Sequence, residues 1–241
     1  KTLFDNINES FEAFDGVGAP STWVLNNHDV LRHASRFGGL KVKPTDSDGV
    51  GPGDPQPDRE LGLRRARGAT LLMLALPGSS YIYQGEELGM HEPLNIPSDQ
   101  MQDPQWFRAE GSISRDGCRV PMPWTSTGPS FGFGPGGAHL PQPEWFKDVN
   151  VEKQSGVEGS TLELYRKALK LRKGLVTDEK LKWVKHLFNK NVVHFVRPNG
   201  WTCVTNFGTK PIKLPKGQLL LTTANLVDGK LPANATAWLQ A

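Results

Sequence analysis

Two short apolar runs, each closing in a polar cluster, flank one long helical stretch, and that order narrows the possible folds more than any other feature. The first run, Trp23-Val24-Leu25, is apolar without alternation, as expected of a strand covered on both faces in a parallel sheet, and it closes in Asn26-Asn27-His28-Asp29. The stretch from Glu60 to Leu76 reads as a helix whose second half is wholly apolar and therefore buried, and it ends at Pro77 and Gly78. A second short strand, SSYIYQG, follows at once. Strand, helix, strand, with each strand closing in polar residues, is the repeating unit of an α/β fold. In such folds, function sits on the loops after the C-terminal ends of the strands.

The flanking segments are simpler. Leu3, Ile7, Phe11 and Phe14 are spaced as the apolar stripe of an amphipathic helix, stopped by Gly16, Gly18 and Pro20. Residues 39 to 58 form a long irregular excursion rich in Gly, Pro and Asp, and residues from about 88 to 158 read as loop. A helix at STLELYRKALKLRKG is capped by Ser160 with Glu163 three residues on, and closed by Gly174. Beyond it come short β-rich pieces separated by Asn-Lys-Asn, Pro-Asn-Gly, Phe-Gly-Thr and Pro-Lys-Gly turns, a spacing that suits a small antiparallel sandwich.

Composition excludes several classes. Lys plus Arg number 28 against 25 Asp plus Glu, a net charge of +3, too mild for a nucleic-acid or membrane-surface protein. Cys118 and Cys203 stand far apart, outside any zinc spacing and too few for a disulfide framework, so a reducing, cytoplasmic compartment is expected. The longest apolar run, ATLLMLAL, falls well short of the ~20 residues that span a bilayer. No stretch reads as a signal peptide, and the start at Lys1, in what reads as mid-helix, suggests a piece of something longer.

On local pattern alone the polar cluster has two readings. Asp29 is either a turn or cap residue, as Asp often is at strand ends, or a functional carboxylate. His28 either satisfies a backbone carbonyl or faces a ligand. Arg32, Arg36 and Arg119 are either ion-pair partners of the fold or contacts of a site.

Three motifs carry a family resemblance. WVLNNHDVLRHASRFGG resembles the strand-seven motif of glycoside hydrolase family thirteen, the α-amylase superfamily, in which an Asn-His-Asp trio carries the third catalytic carboxylate. LPGSSYIYQGEELGM is similar to the helix-seven to strand-eight passage of that family's α-glucosidases and oligo-1,6-glucosidases. SRDGCRVPMPW is similar to their Arg-Asp-x-x-Arg-Thr-Pro-Met-Gln-Trp segment. The motifs stand in family order over residues 1 to about 175, and the tail resembles the family's C-terminal β-domain. Val120 replaces the usual Thr, Pro123 the usual Gln, and Val30-Leu31-Arg32 stand where many oligo-1,6-glucosidases have Gln-Pro-Arg; these departures bear on linkage preference and leave the charged groups in place.

The resemblance implies an α/β fold: residues 1–175 as the C-terminal portion, about the last two βα units, of a catalytic (β/α)8 TIM barrel, and residues 176–241 as a small antiparallel β-sandwich domain. It implies the C-terminal fragment of a retaining, exo-acting α-glucosidase that hydrolyses short α-linked gluco-oligosaccharides. Retaining hydrolysis needs a carboxylate nucleophile and a carboxylic acid. Asp29 would be neither; it would hydrogen-bond the hydroxyls of the cleaved ring more strongly as the ring flattens, with His28 donating beside it. Arg115 would clamp the far end of the terminal glucose, with Arg32 and Arg119 as further contacts. Glu86 and Glu87 receive no catalytic role, since this segment supports the barrel in the family and adjacent residues point apart. Asp103, Trp106 and Phe107 sit in a loop that either borders the substrate entrance or is plain surface, and His33, His139 and His194 carry no pattern.

A full barrel takes ~250 residues, so the resemblance places the nucleophile Asp, the acid Glu and a calcium-type loop upstream of Lys1. The chain is accordingly expected to be inactive by itself, to hold no cofactor, and to partner an oligosaccharide and the N-terminal portion of the same enzyme, with no nucleic acid and no membrane. With open strand edges it is expected to be stable only beside that portion or by swapping with a copy of itself, the former being the expectation. Two other readings remain: a sucrose- or trehalose-type glucosyl-transferring or isomerising relative, and a non-catalytic homologue acting as a binding or transporter-associated module.

Overall fold

The computed structural model describes residues 2–39, 55–108, 114–176, 180–185 and 190–241. Most of the expected excursion at 39–58, and the start of the Asn-Lys-Asn turn, lie outside the described residues. Helix α1 (Leu3–Asp15) opens on a reciprocal cap in which the Thr2 hydroxyl accepts from the Asp5 amide at 3.2 Å and the Asp5 carboxylate accepts from the Thr2 amide at 2.9 Å. Its stripe is only partly covered: Ile7 is buried, whereas Leu3 and Phe14 are exposed.

Strand β1 (Thr22–Val24) precedes the one-turn helix α2 (His33–Arg36), the long helix α3 (Arg59–Ala75) and strand β2 (Ser79–Tyr81). β1 and β2 pair in parallel, Thr22 opposite Ser79 and Val24 opposite Tyr81, with α3 in the crossover. The strands are not covered on both faces as the sequence suggested. Val24 is 47% exposed and Tyr81 62%, because among the described residues each strand has a single neighbour.

Helix α3 starts at Asp58, whose carboxylate accepts from the Leu61 amide at 3.0 Å. Its second half is buried from Leu71 to Leu76. The carbonyls at its C-terminal end are met by cations, which also suit the helix dipole: Arg197 Nη1 donates to Ala75 at 3.0 Å, and Arg172 donates to Leu74, Leu76 and Gly78. Gly78 has φ +102°, and a Cβ there would stand 2.2 Å from the Ser21 carbonyl, so no other residue fits between the helix and β2.

The 88–158 region contains more order than its sequence shows. Helices α4 (Pro104–Arg108), α5 (Asp116–Arg119) and α6 (Val151–Gln154) are each about one turn long, too short to leave a period in the sequence. The same region holds a core of Leu88, Met90, Val120, Met122, Leu140, Phe146 and Leu162, on which Val151 of α6 packs. Helix α7 (Thr161–Leu175) has the expected cap, the Ser160 hydroxyl accepting from the Glu163 amide at 3.2 Å. The Glu163 carboxylate turns instead to the Gly156 amide, and the helix does not close at Gly174 but runs to Leu175, whose carbonyl takes the Asn199 side chain at 2.7 Å.

The C-terminal strands are β3 (Lys182–Trp183), β4 (Val192–Val196), β5 (Trp201–Asn206), β6 (Ile212–Lys213), β7 (Gln218–Thr222), β8 (Lys230–Leu231) and β9 (Ala235–Gln240). They form a five-stranded antiparallel sheet in the order β3-β4-β5-β9-β7 and a two-stranded ribbon of β6 and β8. Every residue of β5 is buried, because both faces of the sheet are covered. One face pairs Cys203 with Trp238 and Thr205 with Thr236, and it lies on α3: Trp238 Nε1 donates to the Leu71 carbonyl at 3.0 Å and the Thr236 hydroxyl to Gly68 at 2.8 Å. On the other, Val204, Ala235, Ala237 and Leu239 pack with Ile212 and Leu231 of the ribbon.

The chain divides into two compact units, one of residues 1–24, 67–81 and 166–241, the other of residues 25–66 and 82–165. The two interleave along the sequence, so the first holds residues from both sides of position 175. All the chemistry below belongs to the second unit. No helix is long and apolar enough to cross a membrane among the described residues.

Candidate active site

The cluster after β1 is built from the inside outward. Asn26 is 3% exposed, and its amide nitrogen donates to His33 Nδ1 at 2.6 Å and Glu86 Oε2 at 2.7 Å, while its oxygen accepts from the His33 amide at 2.7 Å. An amide nitrogen only donates, so His33 must present a bare Nδ1 and be neutral. Burial agrees, since it lowers the His33 pKa to about 3, helped by Arg36 and Arg32. Burial likewise raises the Glu86 carboxyl to about 7 against the hydrogen bonds from Asn26 and Tyr165. His33 carries no pattern in the sequence and Glu86 no catalytic role there; in the structure both support the Asn26 anchor.

Outward from that anchor the backbone turns and the charges begin. Asn27 Oδ1 accepts from the Asp29 amide at 2.8 Å, the side-chain turn for which Asn is suited. Arg36 Nη2 donates to the Leu25 carbonyl and Arg119 Nε to the His28 carbonyl, at 2.6 Å and 2.9 Å. Asp29 is left with its side chain 47% exposed and three partners: Arg115 Nη1 at 2.7 Å, Arg119 Nη2 at 3.2 Å and His28 Nε2 at 3.2 Å. The His28 side chain is 68% exposed.

Arg115 is shared between two acids. It meets Asp29 with one terminal nitrogen and Asp103 with the other nitrogens, Nε to Oδ2 and Nη2 to Oδ1, both at 2.7 Å. Asp103 is 0% exposed, and the Arg115 guanidinium holds its carboxyl well below the usual range, while Asp103 holds the guanidinium above its own. The two contacts differ in their surroundings: Asp29 is half exposed, where such pairs contribute about 0–1 kcal/mol, whereas Asp103 is covered and takes the guanidinium through two bonds. Arg115 is therefore anchored through Asp103 and lent to Asp29.

Five residues were singled out in sequence as the site. Asp29, His28, Arg115 and Arg119 come together within hydrogen-bond reach. Arg32 stands apart from them in character. It is 1% exposed, and its guanidinium donates to the carbonyls of Gln84 at 2.7 Å, Cys118 at 3.0 Å and Val120 at 3.3 Å. Its own amide is held by the buried Glu92 carboxylate at 2.9 Å, so this residue ties backbone segments together and turns no face to solvent. Of the entrance-loop residues, Phe107 is 68% exposed and Asp103 is the buried brace just described. Asp103 also accepts from the Gln105 amide at 3.1 Å, at the start of α4. Among the described residues, no group of three or more His, Cys, Asp or Glu is placed to hold a metal ion.

Known proteins share this arrangement of sequence and fold. The chain is 35% identical over 155 residues to a probable α-glucosidase of Rhizobium meliloti, which covers 63% of this chain and 24% of that protein. It is 30% identical over 205 residues to a salivary α-glucosidase of Aedes aegypti, covering 80% of this chain and 30% of that protein. The crystal structure of an α-glucosyl transfer enzyme, XgtA, superposes with a TM-score of 0.69 at 25% identity, over 100% of this chain and 44% of that one. The chain thus spans a quarter to a third of the length of these curated relatives. Its residues 1–179 match the model of the alpha-amylase catalytic domain, and the chain belongs to that family.

Proposed function

We propose that this chain is the C-terminal part of a retaining, exo-acting α-glucosidase that cleaves short α-linked gluco-oligosaccharides. The observation that carries the reading is the placement of Asp29: a half-exposed carboxylate in the turn that follows the first strand, 2.7 Å from a guanidinium anchored from behind. In this reading residues 1–175 are the last two βα units of a (β/α)8 barrel and residues 176–241 its sandwich domain. The preceding part of the enzyme supplies the remaining strands, the nucleophile Asp and the acid Glu, and it covers the exposed Val24 and Tyr81. Without that part the chain does not turn over substrate. Two buried, free thiols at Cys118 and Cys203 fit a reducing, cytoplasmic setting.

The residues divide the work by chemistry. Asp29 accepts hydrogen bonds from hydroxyls of the ring being cleaved, bonds that strengthen as positive charge develops on the flattened ring. Its charge also favours the protonated form of the neighbouring acid. His28 donates to the same hydroxyls, and Arg115 grips the far end of the terminal glucose, which restricts the pocket to chain ends. Arg119 fixes the turn through the His28 carbonyl as it touches Asp29. Arg32 acts here as the tie that sets the loop, not as a sugar contact.

The transferase or isomerase reading is supported by the likeness to an α-glucosyl transfer enzyme. Product analysis separates the two. With the complete enzyme on maltose, isomaltose and sucrose, free glucose as the sole product from the first two supports hydrolysis, and new glucosyl-oligosaccharides or a rearranged sucrose support transfer. No turnover of any of them, with sugar binding retained, favours a binding module.

A further inference from the structure

We infer that Asp103 is a positioning residue for Arg115, holding its guanidinium so that two N–H groups stay available to the sugar; this rests on the glucosidase reading above. A guanidinium has five N–H donors in one plane. Two go to Asp103, through Nε and Nη2, and one goes to Asp29 through Nη1. One N–H remains on each terminal nitrogen, which is the number needed to grip a single hydroxyl pair. The Arg115 side chain is 27% exposed, with its Asp103 contacts on the buried side.

Asp103 is fixed more firmly than Arg115 itself. Its Oδ2 accepts both the Arg115 side chain and the Arg115 amide, the latter at 2.9 Å, and its Oδ1 accepts the Gln105 amide as well. The backbone beneath it is stapled by Asp116, whose Oδ2 accepts from the amides of Gln102 at 2.8 Å and Asp103 at 3.1 Å and from the Ser114 hydroxyl at 2.8 Å. A helix cap alone would be served by a neutral Asn. The two-pronged contact with Arg115 needs the charge, since only an ionised carboxylate accepts both prongs as charge-assisted bonds in a fixed plane. Without it the strongest acceptor left to Arg115 is Asp29. The guanidinium would then close on Asp29 and withdraw the donors that the sugar requires.

The test is a double-variant cycle in the complete enzyme that carries these residues, assayed on maltose, with D103N, R115A and the two combined. The gripped end of the sugar does not react, so its loss falls on KM. D103N is expected to raise KM about tenfold or more with kcat within about threefold, R115A to do likewise, and the pair to be no worse than R115A within about twofold. D103N with KM unchanged and kcat lowered, the mark of a smaller folded fraction, overturns the inference, as do KM effects that multiply in the pair. A D103N chain that does not fold also overturns it, by placing Asp103 in the fold and not behind Arg115. If R115A does not fold, R115K takes its corner of the cycle with the same expectation. Failure of the underlying reading is seen separately: D29N with near-normal turnover removes the glucosidase site, whereas an inactive D29N beside a multiplicative cycle removes only the role of Asp103.

Discussion

The C-terminal sheet and the cluster around Asp29 handle polar groups in opposite ways. In the sheet, buried polar side chains meet neutral partners: Thr205 bonds Thr236 at 2.8 Å, Trp238 bonds the Leu71 carbonyl, and Asn206 bonds the carbonyls of Lys210, Leu231 and Pro232. Around Asp29 the groups are charged and shared, with Arg115 between two acids and Asp29 beside two arginines and a histidine. A neutral closed network holds one geometry, whereas shared charges at half exposure can exchange a partner for a ligand hydroxyl at small cost. The difference separates what keeps the chain folded from what meets substrate, and substitutions on each side should break it in different observables.

The largest expected effect is at Asp29. In the complete enzyme, Asp29→Asn is expected to lower kcat by several orders of magnitude, since a charge aimed at a developing cation is lost, while the melting temperature stays within a few degrees. A large fall in melting temperature with ordinary turnover per folded molecule would move Asp29 to the structural side. Next is Trp238→Ala, which empties a fully buried site and removes the indole bond to the Leu71 carbonyl; it should lower stability by about 3–5 kcal/mol in urea unfolding with no change in KM.

A smaller effect distinguishes the buried anchor beneath the site. Burial raises the carboxyls of Glu86 and Glu92 to about 7 from the ordinary 4.5, so between those values the folded chain holds protons that the unfolded chain has released. Stability from these groups is therefore complete below about 4.5 and falls as pH rises through 7. Burial lowers His33 to about 3 and His91 to about 4 from 6.5, so their contribution is complete above 6.5 and falls as pH drops through that window. Glu86→Gln should remove part of the loss between pH 5 and pH 8, on the order of 2 kcal/mol, measured as the difference in urea midpoints at the two values. An unchanged difference would show that Glu86 is ionised throughout.

The sequence was most legible where a pattern had to be long to exist. The run from Glu60 to Leu76 announced α3 with its buried half, and the strand-helix-strand order announced the parallel pair of β1 and β2. The three motifs led to the family and to the four charged groups that the structure brings together. Contacts decided by distant partners were not legible. Nothing in LRHAS distinguishes Arg32, buried against three carbonyls, from a substrate contact, and nothing in QMQDPQ tells that Asp103 braces an arginine twelve residues on. His33 had no pattern because its contact with Asn26 depends on tautomer and burial and not on spacing. The short helices between residues 104 and 154 were hidden because helices of one turn leave no period in the sequence; of them, α6 packs Val151 on the Phe146 and Leu140 core.

The most direct measurement is a crystal structure of the complete enzyme carrying a non-hydrolysable α-linked glucose disaccharide. A carboxylate oxygen of Asp29 is expected at hydrogen-bond distance, about 2.6–3.0 Å, from a hydroxyl of the ring at the cleavage point, with Arg115 donating to the far end of the same ring. A disaccharide bound elsewhere, or bound here with Asp29 and Arg115 paired only to each other and touching no hydroxyl, would contradict the assignment.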